Sequence, residues 1–105
     1  MIEINNLTTA VVDEKFLKKV AKIVLGGKSD LSIALVGQTR IRELNKRYRG
    51  KNKATDVLAF PYGEIVICPS ETKELNRVLI HGILHLLGFN HKQMKIKEDH
   101  YLSKI

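Results

Sequence analysis

Three of the chain's four histidines, His81, His85 and His91, lie within one segment of eleven residues. Residues four apart on a helix project from the same face, one turn above the other, so the imidazoles of His81 and His85 are placed to close on a single ion. Gly88 then ends the helix, because a residue without a Cβ can take the left-handed conformation that reverses the chain. The reversal returns His91 as a third ligand, and the segment therefore predicts a metal site.

The spacing of this segment is that of the metzincin peptidases, H-E-x-x-H-x-x-G-x-x-H, with one difference. Gly82 stands where those enzymes keep the glutamate that acts as general base. Three neutral imidazoles leave a zinc-like ion its full charge and a fourth position for water, which is typical of a catalytic site rather than a structural one. Because peptide hydrolysis needs a carboxylate beside that water, the segment disfavours a peptidase and favours an anionic substrate.

A single histidine on the apolar face of a helix is more often a hydrogen-bonded core residue than a metal ligand. Three titratable rings side by side change this interpretation, because burying them together without an ion would be costly. The fourth histidine, His100, has no such company and lies in a polar C-terminal segment. It is expected to be an exposed helix residue, with a reach back towards the metal as the alternative.

The basic residues are concentrated in one part of the chain. The formal net charge is +7, and residues 37–53 hold seven basic side chains against one acid, Glu43, which gives +6 of that total. A local cationic surface favours a polyphosphate backbone, although a charge run is in general more often a solvated helix face. Because this cationic surface shares a small domain with a predicted metal centre, it indicates that the protein binds nucleic acid. Apart from Arg49, the members of this basic patch are Arg40, Arg42, Lys46, Arg47, Lys51 and Lys53.

Length and composition indicate one domain. A chain of 105 residues with 44% hydrophobic residues suffices for one core and is too short for two. No apolar run approaches the roughly 20 residues that a membrane-spanning helix needs. The single cysteine, Cys68, cannot form an internal disulfide and no N-terminal stretch resembles a signal peptide, so a reducing cytoplasm is expected. Cys68 is expected to be a small buried residue at a strand end rather than a thiolate ligand.

Strand and helix patterns alternate along the chain and predict an α+β fold, with a small mixed sheet of about four strands and helices packed on it. Asp13 is expected to cap the first helix, Thr39 the second, and Ser70 the helix that carries the histidines. Gly26-Gly27 and Gly50 are expected to end the first two helices. Strands are predicted at 2–7, 31–36, 56–60 and 64–68, and helices at 13–25, at 40–49, from Ser70 through the histidines, and at 93–103.

Two further motifs precede the histidine segment. They are Leu44-Asn45-Lys46-Arg47-Tyr48-Arg49-Gly50 and Thr55-Asp56-Val57-Leu58-Ala59-Phe60-Pro61. Together with the histidine segment, and in this order, they resemble the YbeY family of single-strand-specific, metal-dependent endoribonucleases over most of the chain. The resemblance implies a zincin-like α+β fold, a zinc or similar ion on His81, His85 and His91, and Arg49 near that ion. It also implies work on ribosomal RNA, in small-subunit RNA maturation and ribosome quality control.

The chain departs from the family pattern in several places. It is shorter than typical members between the fourth strand and the metal helix, where residues 69–74 replace a longer helical approach. Asn90 stands where the family commonly has aspartate, and a carboxylate there could orient a ligand or accept a proton. Losing an outer contact of that kind costs about 10–100-fold in metal affinity or activity. Glu64, Ala59 and Lys92 are further departures.

The residues suggest a mechanism in which the ion polarises a phosphoryl oxygen or supplies hydroxide. Arg49 would stabilise the charge that builds on the pentacoordinate phosphorus. By position alone Arg49 is a cation at the end of its helix, where it faces the free backbone carbonyls of the last turn. Only the resemblance to the family makes it a catalytic candidate. Tyr48 is expected in the core rather than as a base-stacking platform. Asp56 is expected either to support a metal ligand or to cap a turn.

Two other functions fit parts of this pattern. A ribosome-associated RNA-binding factor with a mainly structural metal is favoured by the missing glutamate at position 82 and disfavoured by the open fourth coordination position. Metal-dependent hydrolysis of a small anionic molecule leaves the basic patch unexplained. Cleavage of single-stranded RNA that disappears with His85 would separate the enzyme from the binding factor.

Overall fold

The computed structural model describes residues 1–26 and 30–105. The strands are β1 (Ile2–Asn6), β2 (Leu31–Leu35), β3 (Val57–Phe60) and β4 (Glu64–Ile67). The helices are α1 (Glu14–Leu25), α2 (Gln38–Arg49), α3 (Leu75–Leu86) and α4 (His91–Leu102). A short 3₁₀ turn, Pro69–Glu71, lies between β4 and α3. Among the described residues, no helix is long and apolar enough to cross a membrane.

The strands form one mixed sheet in the order β1-β2-β4-β3. β1, β2 and β4 run parallel, and β3 pairs antiparallel with β4. The hairpin between β3 and β4 is short, which suits antiparallel pairing, whereas the parallel pairs need the longer connections that the helices provide. Because β3 stands last in the strand order, it is an edge strand. The prediction of an α+β fold with a small mixed sheet is confirmed.

Alternation along the strands gives the sheet two apolar faces. On one face, Ile33, Leu35, Ile65 and Ile67, all 0% exposed, join a core with side chains of α1 and α3. Burying each such side chain contributes roughly 1.5–3 kcal/mol. On the other face a smaller cluster lies beneath α2, and its members are Val36, Ile41, Leu58, Phe60, Val66 and Cys68. The burial of Cys68 agrees with its expected place at the end of a strand.

The first two helices end as expected but begin differently from one another. Asp13 caps α1, and its carboxylate accepts a hydrogen bond from the amide of Phe16 at 3.1 Å. Gly26 and Gly50 follow α1 and α2 as their C-caps, and Gly27 lies outside the described residues.

The prediction that Thr39 caps α2 was wrong. The helix already begins at Gln38, because the extended backbone of Gly37 leads directly into it without a side-chain cap.

The prediction that Ser70 caps the histidine-bearing helix was also wrong. Proline suits the first turn of a helix, and Pro69 opens the separate 3₁₀ turn, in which the amide of Glu71 donates to the carbonyl of Cys68 at 3.0 Å. The hydroxyl of Ser70 lies 3.3 Å from the sulfur of Cys68 instead of at a helix end. Extended backbone at Thr72 ends this turn, and α3 begins afresh at Leu75.

The last helix begins at His91, two residues before the predicted start at Gln93. Asn90 is its N-cap. The Asn90 side chain accepts from the amide of Gln93 at 2.9 Å, and the Gln93 side chain accepts from the amide of Asn90 at 3.1 Å. This reciprocal pair satisfies two amides that a helix start would otherwise leave without partners. The amide side chain at position 90 therefore serves the start of α4.

Candidate metal centre

The three histidines are positioned by the end of one helix and the beginning of the next. His81 and His85 lie one turn apart on α3, and His91 is the first residue of α4. Between the helices Gly88 has a φ of 84°, a left-handed conformation that strains any residue with a Cβ. The ring centroids of His81 and His85 are 6.1 Å apart, and those of His85 and His91 are 6.3 Å apart. The chain reversal predicted at Gly88 therefore does bring the ring of His91 beside that of His85.

The rings are neighbours but do not yet converge on one point. Within residues 1–26 and 30–105, no three histidine, cysteine, aspartate or glutamate side chains are close enough to hold an ion as they stand. His85 and His91 are exposed, so their rings have room to rotate, whereas His81 is half-buried. Three imidazoles are a donor set that suits zinc and related divalent ions. The chemistry of this donor set therefore suits such an ion.

Glu98, which was not predicted from the sequence, lies behind His81 and contacts its ring. This carboxylate is only 9% exposed, and one of its oxygens lies 3.3 Å from Nδ1 of His81. A contact to Nδ1 directs the opposite nitrogen of the ring, Nε2, away from Glu98. A sequence signal existed: Glu98 is seven residues after His91 and four after the buried Met94, so helical periodicity places the three on one face of α4.

Arg77 balances the charge of the buried carboxylate. It lies one turn before His81 on α3, and its guanidinium nitrogens are 3.9 Å from Glu98, 3.7 Å from Asp99 and 3.4 Å from Glu74. A carboxylate removed from water needs a cation or hydrogen-bond donors nearby. Arg77 and His81 together provide these, which stabilises the packing of α4 against α3.

The histidines line a cleft of about 520 Å³ that follows the edge strand β3. Residues 55–61 line its length, and Tyr48 and Arg49, at the end of α2, line it together with the histidines. Arg49 comes from a helix that packs on the opposite face of the sheet from α3. The cleft therefore crosses the sheet edge and brings the histidines and Arg49 to one cavity. Asp56 also lines it, and the carbonyl of Asp56 accepts from the amide of Cys68 at 2.9 Å.

Gly82 allows α3 to approach the sheet closely. A Cβ at this position would lie 3.2 Å from a methyl carbon of Ile65 and 3.2 Å from a methyl carbon of Val57. These distances are shorter than ordinary contacts between carbon atoms. A longer side chain at position 82 would therefore begin against the sheet, which gives a structural reason for glycine where the metzincins carry their catalytic glutamate.

The prediction that Tyr48 belongs to the core was wrong. Tyr48 is 56% exposed, and it contacts Phe60 edge to face with ring centroids 5.2 Å apart. The guanidinium of Arg47 lies 5.6 Å from the centre of the Tyr48 ring. Ile41 and Asn45 are the buried residues of α2, and Tyr48 follows them on the same side near the helix end. The buried stripe does not extend to Tyr48, which lies at the border of the cleft.

The basic patch lies beside the cleft. Its six side chains are exposed on α2 and on the loop that follows. The buried side chain of Asn45 donates to the carbonyl of Lys53 at 2.9 Å and so holds this loop against the helix. Arg42 donates to the side chain of Asn52 at 2.9 Å, and Arg40 lies 3.4 Å from Glu43. Arg42 and Lys53 line a neighbouring hollow of about 410 Å³. His100 is exposed on α4, as expected.

Comparison with known proteins agrees with this geometry. The family model described as endoribonuclease YbeY matches residues 2–104. The chain belongs to the YbeY family. Among curated relatives of this YbeY family member, endoribonuclease YbeY of Thermodesulfovibrio yellowstonii is 40% identical, in an alignment that covers 71% of this chain and 63% of that protein. Endoribonuclease YbeY of Thermotoga maritima is 35% identical, in an alignment that covers 88% of this chain and 79% of that protein.

A solved structure shares the fold of this YbeY family member. The solution structure of TM1509 from Thermotoga maritima matches with a TM-score of 0.69 and 34% sequence identity. The match covers 96% of this chain and 86% of that one. The arrangement of helices on a mixed sheet is therefore that of a YbeY-like protein along nearly the whole chain.

Proposed function

We propose that this chain is a metal-dependent endoribonuclease that cleaves single-stranded RNA. The main support is that three imidazoles and the guanidinium of Arg49 line one cleft, although they come from opposite sides of the sheet. The basic patch beside the cleft provides the cationic surface that a phosphate backbone requires. Membership of a family described as endoribonuclease YbeY supports phosphodiester hydrolysis as the reaction.

His81, His85 and His91 would hold one divalent ion, and we propose zinc because imidazole nitrogen is among its preferred ligands. When bound, such an ion supplies a polarised water or a Lewis acid next to the phosphate. The proposal assigns Glu98 to hold His81 with Nε2 facing the cleft, since the carboxylate lies 3.3 Å from Nδ1. Gly82 provides no proton acceptor at the position that peptidases use.

Arg49 is the proposed catalytic side chain. Its planar guanidinium presents several N–H donors that match two oxygens of one phosphate, so it can both orient the scissile group and stabilise negative charge as that charge develops. Arg49 is exposed and lines the cleft with the histidines. The other basic residues lie farther along α2 and its loop, where they would hold the flanking backbone.

The proposed substrate is ribosomal RNA, with a place in small-subunit RNA maturation and in ribosome quality control. This assignment rests on the resemblance to the family, and the cleft is consistent with it because an open groove along a sheet edge admits a flexible strand. We also propose the cytoplasm as the compartment, since Cys68 is a free buried thiol.

Removing the metal tests the proposed function directly. Wild-type protein should cut end-labelled single-stranded RNA, lose this activity in a strong chelator, and regain it when zinc is restored, because the attacking group needs the ion. The same strand annealed to its complement should remain intact. Product bands on a denaturing gel measure both effects. Binding of RNA without cleavage under any divalent ion would instead favour an RNA-binding factor with a structural metal.

Replacing Glu98 with glutamine should weaken zinc binding by about 10–100-fold, because the neutral amide orients His81 less strongly than the carboxylate does. Competition with a chromophoric chelator measures this affinity without any RNA. Asp99→Asn is the matched control, since Asp99 is an exposed acid on the same helix and also lies near Arg77. Equal zinc affinity in folded Glu98→Gln and wild-type protein would contradict the assigned role.

A further inference from the structure

Three aromatic rings form a row that runs from the cleft to the turn between β3 and β4. Tyr48 and Phe60 line the cleft together with the histidines. The ring centroid of Phe60 is 5.2 Å from that of Tyr48 and 5.7 Å from that of Tyr62. Phe60 is 9% exposed, whereas Tyr48 is 56% and Tyr62 is 75% exposed. We refer to Tyr48, Phe60 and Tyr62 as the aromatic ladder, in which a buried ring supports two exposed ones.

Tyr62 is held with one ring face open to solvent. Its plane is inclined by only 20° to that of Phe60, so the two rings are stacked and the far face of Tyr62 is left uncovered by Phe60. The Tyr62 hydroxyl also donates to the carboxylate of Glu64 at 3.2 Å, but the stacking on Phe60 is what orients the ring. Tyrosine is uncharged at neutral pH, and partial loss of water around the hydroxyl together with the nearby Glu64 carboxylate raises the pKa of Tyr62 further.

An exposed aromatic ring with a fixed open face is the kind of platform on which an unpaired nucleobase stacks. Such stacking typically contributes about 5–100-fold in affinity for each base and tolerates any base, since every base has a π-face. Cations must lie close by to hold the phosphates between the bases. Arg47 meets this need beside Tyr48, with its guanidinium 5.6 Å from the ring centre.

We propose that the aromatic ladder is a binding site for unpaired nucleobases on the strand that leaves the metal centre. Tyr48 presents the inner stacking surface and Tyr62 the outer one. The inference rests on RNA being the substrate, and it specifies which part of the RNA this surface recognises. In a duplex both faces of each base are covered by neighbouring pairs, so only an unpaired strand can use the ladder. The ladder thus gives a physical reason for selecting single strands.

The test uses metal-free wild-type protein in chelator, so that RNA is bound and not cut. Fluorescence anisotropy of a labelled single-stranded RNA should show binding about 5–50-fold weaker for Tyr62→Leu, which removes the ring. Tyr62→Phe keeps the ring and should bind within about twofold of wild type. Ile96→Ala is the control for loss of an exposed apolar side chain, since Ile96 is 70% exposed on α4, and it should leave affinity unchanged.

An abasic RNA identifies the stacked nucleotide. Removing that base should weaken wild-type binding by the same factor as Tyr62→Leu, and combining the two changes should weaken it no further, as expected for two halves of one contact. Placed at that nucleotide, 2-aminopurine should be quenched by wild type and Tyr62→Phe and stay bright with Tyr62→Leu. Normal single-strand affinity in Tyr62→Leu, or an equal loss of duplex affinity, overturns the proposal.

The binding experiment tests the aromatic ladder and the cleavage experiment tests the endoribonuclease proposal, so either proposal can be refuted without the other. If metal-loaded protein cuts no RNA but Tyr62→Leu still loses single-strand affinity, the ladder stands and the endoribonuclease assignment falls. If cleavage is normal and Tyr62→Leu binds as wild type does, only the ladder falls. Tyr62 is largely exposed in the turn after β3, so its replacement leaves the core intact.

Discussion

Replacing His85 with alanine should reduce zinc-dependent RNA cleavage by more than the roughly 100-fold that follows loss of an outer contact. The reason is that only two of the three proposed ligands remain, so the ion is held weakly and its charge no longer faces the phosphate in a fixed position. His85 is exposed at the end of α3, and truncating it removes no core contact. The folded state of the metal-free protein should therefore be as stable as wild type.

His100→Ala is the matched control for this experiment. His100 is also an exposed histidine at a helix end, but it does not line the cleft beside Arg49. Cleavage rates and zinc affinities of the two variants are compared under the same conditions. Full activity in His85→Ala, or an equal loss in His100→Ala, would show that the three histidines do not act as one site.

Replacing Gly82 with glutamate should destabilise the protein by roughly 2–5 kcal/mol rather than convert it into a peptidase. Its Cβ would meet methyl groups of Ile65 and Val57 at 3.2 Å, and β-branched side chains in a sheet have little freedom to move aside. The side chain would start from a buried backbone position next to apolar atoms. Since a domain of this size is stable by about 5–15 kcal/mol, the loss is a large fraction of the total.

Chemical unfolding of the metal-free variants measures this effect. Gly82→Ala isolates the steric part, and its cost of about 1–3 kcal/mol is offset by the roughly 1 kcal/mol that alanine gains over glycine inside a helix, so the net loss should be smaller than in Gly82→Glu. Gly37→Ala provides a glycine control, because no atom lies within 4 Å of a Cβ built there, and its φ of −80° suits alanine. That change should cost less than about 1 kcal/mol, mainly through the weaker N-cap. Wild-type stability in Gly82→Glu would refute the close packing of α3 on the sheet.

The histidine motif could be predicted because its geometry is local. Helical spacing places His81 and His85 on one face, and the conformational freedom of Gly88 decides the reversal that returns His91. The strands and their order along the chain follow from short apolar runs bounded by turn residues. These features depend on neighbours in sequence, so little knowledge of the tertiary structure is needed to identify them.

Tertiary contacts decide the features that sequence reasoning missed. Thr39 and Ser70 have suitable side chains for helix caps, but α2 already begins before Thr39, and Ser70 lies inside a separate 3₁₀ turn that ends before α3 begins. Tyr48 follows the buried stripe of α2 and is nevertheless exposed, because the stripe ends before the cleft. Glu98 becomes important only when α4 docks on α3 and brings its carboxylate to His81.

The position of β3 at the sheet border has a consequence for how copies of the molecule behave towards each other. In the described part of the chain, β3 pairs with β4 alone, and its other side borders the cleft. The unpaired N–H and C=O groups on such a side of a strand can pair with a strand of a second molecule, which is the first step of aggregation. Here the margin is four residues long, is followed by Pro61 and borders Arg49 and the imidazoles. Its shortness and these neighbours discourage self-association while leaving the groove accessible to a polyanion.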